Sequence, residues 1–257
     1  MKPNTCILRT DGTNCDIETM YAVEKAGGRG QMVHVNQLRD GTADLKNYKM
    51  LIVPGGFTYG DDVHSGKILA VELVSYLKEQ LLEFVEKGNL VLGICNGFQV
   101  LVRTGLLPQG SPGDIKATLI NNDSGRFECR WVNMRVENSN CVFTRGMEGT
   151  VVSYQAAHGE GKFYTDKVTL EDLEKAGQVV FRYCTPEGEP TSSYPANPNG
   201  SLNAIAGISD RTGRVMGLMP HPERFVEYYQ HPNWRRQKTE PHGLAVFKNA
   251  VDYINQM

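Results

Sequence analysis

The chain of 257 residues carries a formal net charge of −2, with 27 Lys and Arg against 29 Asp and Glu, a balance that gives no basis for a nucleic-acid or anionic-membrane partner. No apolar run approaches the ~20 residues needed to span a bilayer. The six cysteines, at 6, 15, 95, 129, 141 and 184, form no CxxC pair and no cluster with histidine at zinc-ligand spacing, so the expectation is a reduced, cytoplasmic chain with no metal site.

The opening stretch MKPNTCILRTDGTN has polar residues interrupting its apolar part and does not read as a signal peptide; TCILRT (5–10) is a first strand. TNCDIETMYAVEKAGG (13–28) is a helix stopped by glycine, and GQMVHVNQL (30–38) a second strand. YKMLIVPGG (48–56) is a third strand, buried on both faces and ended by Pro-Gly-Gly. Residues 66–88 form the strongest helix, apolar at a period near 3.6 and closed by Gly88. NLVLGI (89–94) is a fourth strand, and NGFQVLVRTGLL (96–107) opens another helix. This alternation predicts an α/β fold of flavodoxin-like type, a mainly parallel sheet with helices on both faces. Continuous apolar strands fit burial on both faces.

After about residue 110 the pattern changes. Residues 116–138 and 177–184 read as strands with turns, and long helices are absent. Residues 204–223 read as a hairpin turning at DRTG. TPEGEPTSSYPANPNG (185–200) is loop-like, and PHGLAVFKNAVDYINQM (241–257) closes the chain as a helix. The expectation is one domain, 1–257, with a β-rich insertion.

GICNG (93–97) has the layout of a nucleophile elbow: a strand ends, the chain turns sharply and a helix begins. Gly93 and Gly97 would clear space where strand and helix cross. Cys95 would stand above the carboxyl edge of the sheet, where open α/β sheets bind ligands. The start of the helix favours negative charge, and the thiolate is the reactive form. The Asn96 N–H would face an oxyanion. The stretch taken alone fits a buried structural cysteine equally well.

A nucleophilic thiol needs a base. In MPHPE (219–223), Pro222 restricts His221 to extended geometry, so His221 and Glu223 point the same way. The carboxylate then fixes the tautomer and leaves the other ring nitrogen for the thiol. A second glycine turn, VPGGFTYGDD (53–62), is either a plain strand–helix loop or a source of N–H groups at the same sheet edge.

With these pieces in order, the chain resembles the class I, triad-type glutamine amidotransferases. Within them it is similar to the glutaminase components of phosphoribosylformylglycinamidine synthases, through GGFTYGDD, GICNGFQVL, NNDSGRFECRW, AAHGEGKF and MGLMPHPER, over nearly the whole chain. The resemblance implies Cys95 as nucleophile, His221 as base and Glu223 as its orienting partner. It implies an oxyanion hole near Gly56, Phe57 and Asn96, a glutamine contact at Gln99, and a loop at His158 and Gly159 closing the pocket. It implies ammonia release to an ATP-dependent synthetase subunit that converts formylglycinamide ribonucleotide, with ATP and magnesium on that partner, no cofactor here, and room for a small accessory subunit. No GxxxxGK[ST] loop occurs in the chain.

The alternatives are a glutaminase for another acceptor and a cysteine hydrolase of the same fold. Two departures from the family pattern stand out: Thr58 where many relatives carry serine, and Ala157 where others carry asparagine before the His-Gly pair. His158 itself also reads as a hydrogen-bonded loop residue, and the five cysteines other than Cys95 as structural.

Overall fold

The computed structural model describes residues 2–257. Strands β1 (Asn4–Arg9), β2 (Arg29–His34), β3 (Met50–Val53) and β4 (Leu90–Ile94) alternate with helices α1 (Asp16–Lys25), α2 (Val35–Arg39), α3 (Lys67–Tyr76) and α4 (Lys78–Glu86), and α5 (Asn96–Thr104) follows β4. The second part contains β5 (Ala117–Ile120), β6 (Glu128–Val136), β7 (Val151–His158), β8 (Lys162–Thr165), α6 (Lys167–Lys175), β9 (Val179–Tyr183), β10 (Ile205–Ser209), β11 (Val215–Leu218) and α7 (Gly243–Asn255).

Nine strands form one sheet in the order β2-β1-β3-β4-β11-β10-β9-β6-β7. From β2 to β11 the neighbours are parallel. From β11 to β7 they are antiparallel. The β-rich region therefore extends the same sheet, and only β5 and β8 pair separately. Every residue of β3 and β4 is buried, as parallel strands covered on both faces require.

The chain steps from β1 outward to β2, then back across β1 to β3 and on to β4. Right-handed crossovers then place α1 on one face and α3 on the other. Accordingly α1 packs with α7, and α3 with α5. The order reverses between β1 and β3, and the crevice beyond their carboxyl ends is where such sheets take ligands. Gly93 and Gly217 lie side by side on β4 and β11. A side chain on Gly217 would strike the Phe98 ring, so the missing Cβ lets α5 lie close on the sheet with Phe98 fully buried.

Several elements differ from the sequence expectation. The segment 30–38 is not one strand: His34 Nδ1 accepts from Asn36 N–H (3.2 Å) and Gln37 Oε1 from His34 N–H (2.9 Å), a capping box that starts α2. The helix expected over 66–88 breaks at Leu77, where φ is −124°. Leu69, Leu73, Leu77, Leu81 and Phe84 stay buried across the break, so periodicity alone does not reveal it. The stretch 116–138 divides between two sheets, β7 was not expected as a strand, and α6 interrupts a region expected to be free of long helices. Asp166 caps α6 by accepting from Thr169 N–H at 2.9 Å. The hairpin at DRTG forms as expected: Asp210 Oδ1 accepts from Arg214 and Val215 N–H, each at 3.0 Å.

Candidate active site

Cys95 turns the chain between β4 and α5 with φ 52° and ψ −107°. A positive φ outside glycine is strained. It is held because Cys95 N–H donates to the Leu218 carbonyl (2.8 Å) and its own carbonyl accepts from Gln99 N–H (3.1 Å). A Cβ on Gly97 would strike the Val53 carbonyl, so glycine there lets α5 start directly over the end of β3. The first N–H groups of α5 lack intrahelical acceptors, and they begin beside the sulfur. Cys95 Sγ donates to the Ala157 carbonyl at 3.6 Å. The position where a side-chain contact was in question thus contributes its backbone.

The MPHPE stretch is pinned to β7 by His221 N–H donating to the Gln155 carbonyl at 2.8 Å. His221 is extended, at φ −102° and ψ 95°, and its Nδ1 lies 2.6 Å from Glu223 Oε1. Both residues are fully buried, and His221 Nε2 has no hydrogen-bond partner. Burial works against the imidazolium, but Glu223, with Cys95 and Cys15 adding to it, outweighs burial and holds His221 well above its ordinary value. That direction favours transfer of the Cys95 thiol proton to the ring.

The turn after β3 faces both. Phe57 N–H already donates to the Gly12 carbonyl at 2.9 Å, whereas Gly56 N–H has no such bond among the described residues. The exposed Phe57 ring instead stacks on Phe127, 6.2 Å between centroids. Beyond it the chain is strained: Tyr59, Asp61 and Val63 have φ of 53°, 56° and 70°. A buried network ties this loop to α5. Thr58 Oγ1 donates to Asn96 Oδ1 (2.7 Å), and Asn96 Nδ2 donates to Gln99 Oε1 (3.0 Å) and Asp61 Oδ1 (3.2 Å). The threonine keeps the hydroxyl role expected of serine. Gln99 Nε2 donates to the Glu160 carbonyl at 2.6 Å, so Gln99 joins α5 to the loop after β7.

His158 ends β7 rather than sitting in a loop. Burial, with His221 nearby, pushes its imidazole down to about 3, so it is neutral at neutral pH. Asn199 Nδ2 lies 3.0 Å from its Nε2. Asn122 donates to the His158 carbonyl (2.8 Å) and accepts from Gly161 N–H (3.0 Å), while the Gly159 carbonyl accepts from Asn122 N–H (2.9 Å). A cleft of 370 Å³, lined by Phe57, Asp61, Ser65, Arg126, Phe127, Gly159 and Glu160, opens beside this arrangement.

Cys95, His221, Glu223, Gly56, Asn96, Gln99, His158 and Gly159 therefore meet at one sheet edge. Phe57 reaches the mouth through its ring and not through its amide. Sequence reading missed Cys15, Gln155, Glu160, Asn122, Asn199 and Arg224. Cys15 reads as structural in the sequence, yet one ligand atom from each of Cys15, His221 and Glu223 lies within 4.8 Å of the others. Arg224 donates to Cys15 Sγ (3.2 Å), Glu18 Oε1 (2.8 Å) and Gln155 Oε1 (3.2 Å), bracing α1 against the MPHPE turn. Asn122, Glu160 and Arg224 stood in stretches that the resemblance had marked and Asn199 in the loop-like one, whereas Cys15 and Gln155 stood in neither.

A profile described as the CobB/CobQ-like glutamine amidotransferase domain matches residues 2–254, and the chain belongs to that family. More narrowly, it is 48% identical over 259 residues to the phosphoribosylformylglycinamidine synthase subunit PurQ of Dehalococcoides mccartyi, covering 100% of this chain and 99% of that one. A subunit of the same description from Methanococcus maripaludis is 42% identical over 269 residues, covering 99% and 98%. The solved structure described as PurLQS from Thermotoga maritima matches at a TM-score of 0.77 and 33% identity, over 99% of this chain and 100% of that one. No helix among the described residues is long and apolar enough to cross a membrane.

Proposed function

We propose that the chain is the glutaminase subunit of a phosphoribosylformylglycinamidine synthase, acting as one domain and releasing ammonia from glutamine for purine biosynthesis. The observation that carries the reading is Cys95 on its strained elbow, with the buried His221–Glu223 pair beside it. Cys95 passes its thiol proton to His221 Nε2, and its sulfur attacks the side-chain amide carbon of glutamine. The oxyanion that forms faces the Asn96 N–H at the start of α5 and the Gly56 N–H. His221 gives its proton to the departing ammonia, and a glutamyl thioester remains. Water, deprotonated by His221, resolves the thioester to glutamate. Glu223 keeps Nδ1 engaged, so Nε2 does the proton work.

The ammonia passes to an ATP-dependent synthetase subunit, which binds ATP, magnesium and formylglycinamide ribonucleotide. Cys95 is only 5% exposed, and Phe57 and Asp61 of the strained loop 57–63 line the open cleft. We infer that a shift of this loop admits glutamine, and a partner that binds the shifted form favours it by its differential affinity. The test uses the assembled complex: Cys95→Ala abolishes glutamine-dependent synthesis and spares ammonia-dependent synthesis. Loss of both in an intact complex would contradict a role for the cysteine confined to ammonia release.

A further inference from the structure

Cys15 caps the N-terminus of α1, far from the elbow in sequence, and takes no part in the amide chemistry proposed above. Its backbone and its side chain nevertheless reach different parts of the site. Cys15 N–H donates to the Gly55 carbonyl at 3.2 Å, next to the Gly56 turn. Its sulfur donates to Asn14 Oδ1 and accepts from Arg224 Nη2, each at 3.2 Å. Arg224 also donates to Gln155 Oε1 (3.2 Å), and the Gln155 carbonyl accepts the His221 N–H (2.8 Å). Gly55 shows how closely these groups converge. A Cβ placed on that glycine would lie 2.8 Å from His221 Cε1, 3.1 Å from Cys15 Sγ and 3.5 Å from Cys95 Cβ. The Cys15 sulfur itself is within 4.8 Å of a His221 ring nitrogen and of a Glu223 carboxylate oxygen.

We propose that Cys15 is a positioning residue for the base: its sulfur, clamped by Asn14 and Arg224, limits the movement of the His221 imidazole without touching glutamine. The proposal rests on the reading of Cys95 as nucleophile and His221 as base. The imidazole has one hydrogen bond, from Nδ1 to Glu223, and a ring held at one atom can still tilt about it. The Cys15 sulfur fills space beside that ring, so the tilt is restricted. The restriction matters because a misplacement of about 1 Å can cost ~10²-fold in rate. A thiol suits the place. It accepts from the guanidinium, gives its one proton to Asn14 and adds no charge beside the base. Burial first, and Glu223 after it, hold this thiol above its ordinary value although His221 and Arg224 act against them. Cys15 therefore stays protonated and does not compete with Cys95 as nucleophile. The groups facing His221 are Glu223 from its own turn, Cys95 from the elbow, Cys15 from the start of α1 and His158 from β7. Burial works against the imidazolium, and Glu223, Cys95 and Cys15 together outweigh it. Removing Cys15 takes away one of those three supports.

The test measures glutamate release by the assembled complex across pH. Cys15→Val fills the space but accepts no bond from Arg224, and Cys15→Ala removes the sulfur without adding bulk. Each should lower kcat by about tenfold with the glutamine KM unchanged. The alkaline limb of kcat/KM, which reports the imidazolium of the free enzyme, should move to lower pH in both. Cys15→Ser keeps an acceptor for Arg224 and should recover most of the rate. Circular dichroism establishes that each chain is folded. Wild-type kcat in folded Cys15→Val or Cys15→Ala overturns the proposal, and so does a raised KM at unchanged kcat. Equal losses in all three variants with the limb unmoved would make Cys15 merely structural and overturn it as well. Cys95→Ala is measured beside them: glutamine turnover that survives in that variant contradicts the reading of the nucleophile itself, whatever the Cys15 variants do.

Discussion

The parallel and antiparallel halves of the sheet deliver functional groups in different ways. In the parallel half, Gly56 and Cys95 follow directly from the ends of β3 and β4, and the turn itself fixes them. In the antiparallel half, His221 is held by a bond to Gln155 on β7, and Ala157 offers its carbonyl to the thiol from the same strand. The nucleophile is thus set by local backbone geometry and the base by tertiary pairing. A perturbation of β7 should disable the base first and leave the elbow in place.

The largest effect is expected on the antiparallel side. His221→Ala should lower glutaminase turnover by ~10²–10⁴-fold, and Glu223→Gln by less, because the carboxylate orients and stabilises the base without touching substrate. Glutamate release by the complex under saturating glutamine measures both. Wild-type turnover in folded His221→Ala would remove the base from the mechanism.

On the parallel side the corresponding break is structural. Gly97→Ala drives a Cβ into the Val53 carbonyl and should cost about 1–3 kcal/mol or more of stability, as overpacking does. Gly110→Ala has a positive φ of 71° but open space around it and should cost less. Urea midpoints rank the two, and an equal loss would mean that close helix approach is not what Gly97 provides.

Gln99→Ala sharpens the comparison where the halves meet, since Gln99 links α5 to the Glu160 carbonyl. It should raise the glutamine KM several-fold, on the order of 1 kcal/mol for a lost hydrogen bond, with a smaller change in kcat. A fall in kcat at unchanged KM would assign it to the transition state instead.

A pH dependence separates the two buried histidines. His158 has a folded value of about 3 against an ordinary 6.5, so the unfolded chain takes up a proton that the native chain refuses. Its contribution is present above pH 6.5 and is lost as pH falls towards 3, by at most about 1.4 kcal/mol per pH unit. His221 has the opposite sign: its folded value is raised, so its contribution is lost as pH rises through that value. His158→Gln should flatten the acid limb of urea stability measured between pH 4 and 7. An unchanged limb would mean that His158 does not titrate as placed.

The same contrast explains what was legible in the sequence. β3, β4 and α5 announced themselves because a buried strand, a glycine turn and a helix are neighbours in the chain, and Cys95 came with them. His221 and Glu223 were legible because Pro222 sets their geometry locally. Cys15 was not, since its sulfur meets His221 and Arg224 only after folding joins the two ends of the chain. Gln155 acts through its carbonyl, which no side-chain pattern records. Asn199 lies in a stretch that reads as loop, and its value depends on reaching His158 and Tyr183. α2 and β2 were merged because Val33, Val35 and Leu38 suit either period.

Covalent labelling with a glutamine-like electrophile, followed by peptide mapping, tests the central claim most directly. Two buried thiols flank His221, and the account assigns attack to Cys95 alone, because only its sulfur lies at the start of α5 beside the free N–H groups. The expected result is a single adduct on Cys95, suppressed by excess glutamine and formed far more slowly in His221→Ala. An adduct on Cys15 with Cys95 unmodified, or labelling indifferent to glutamine, would contradict it.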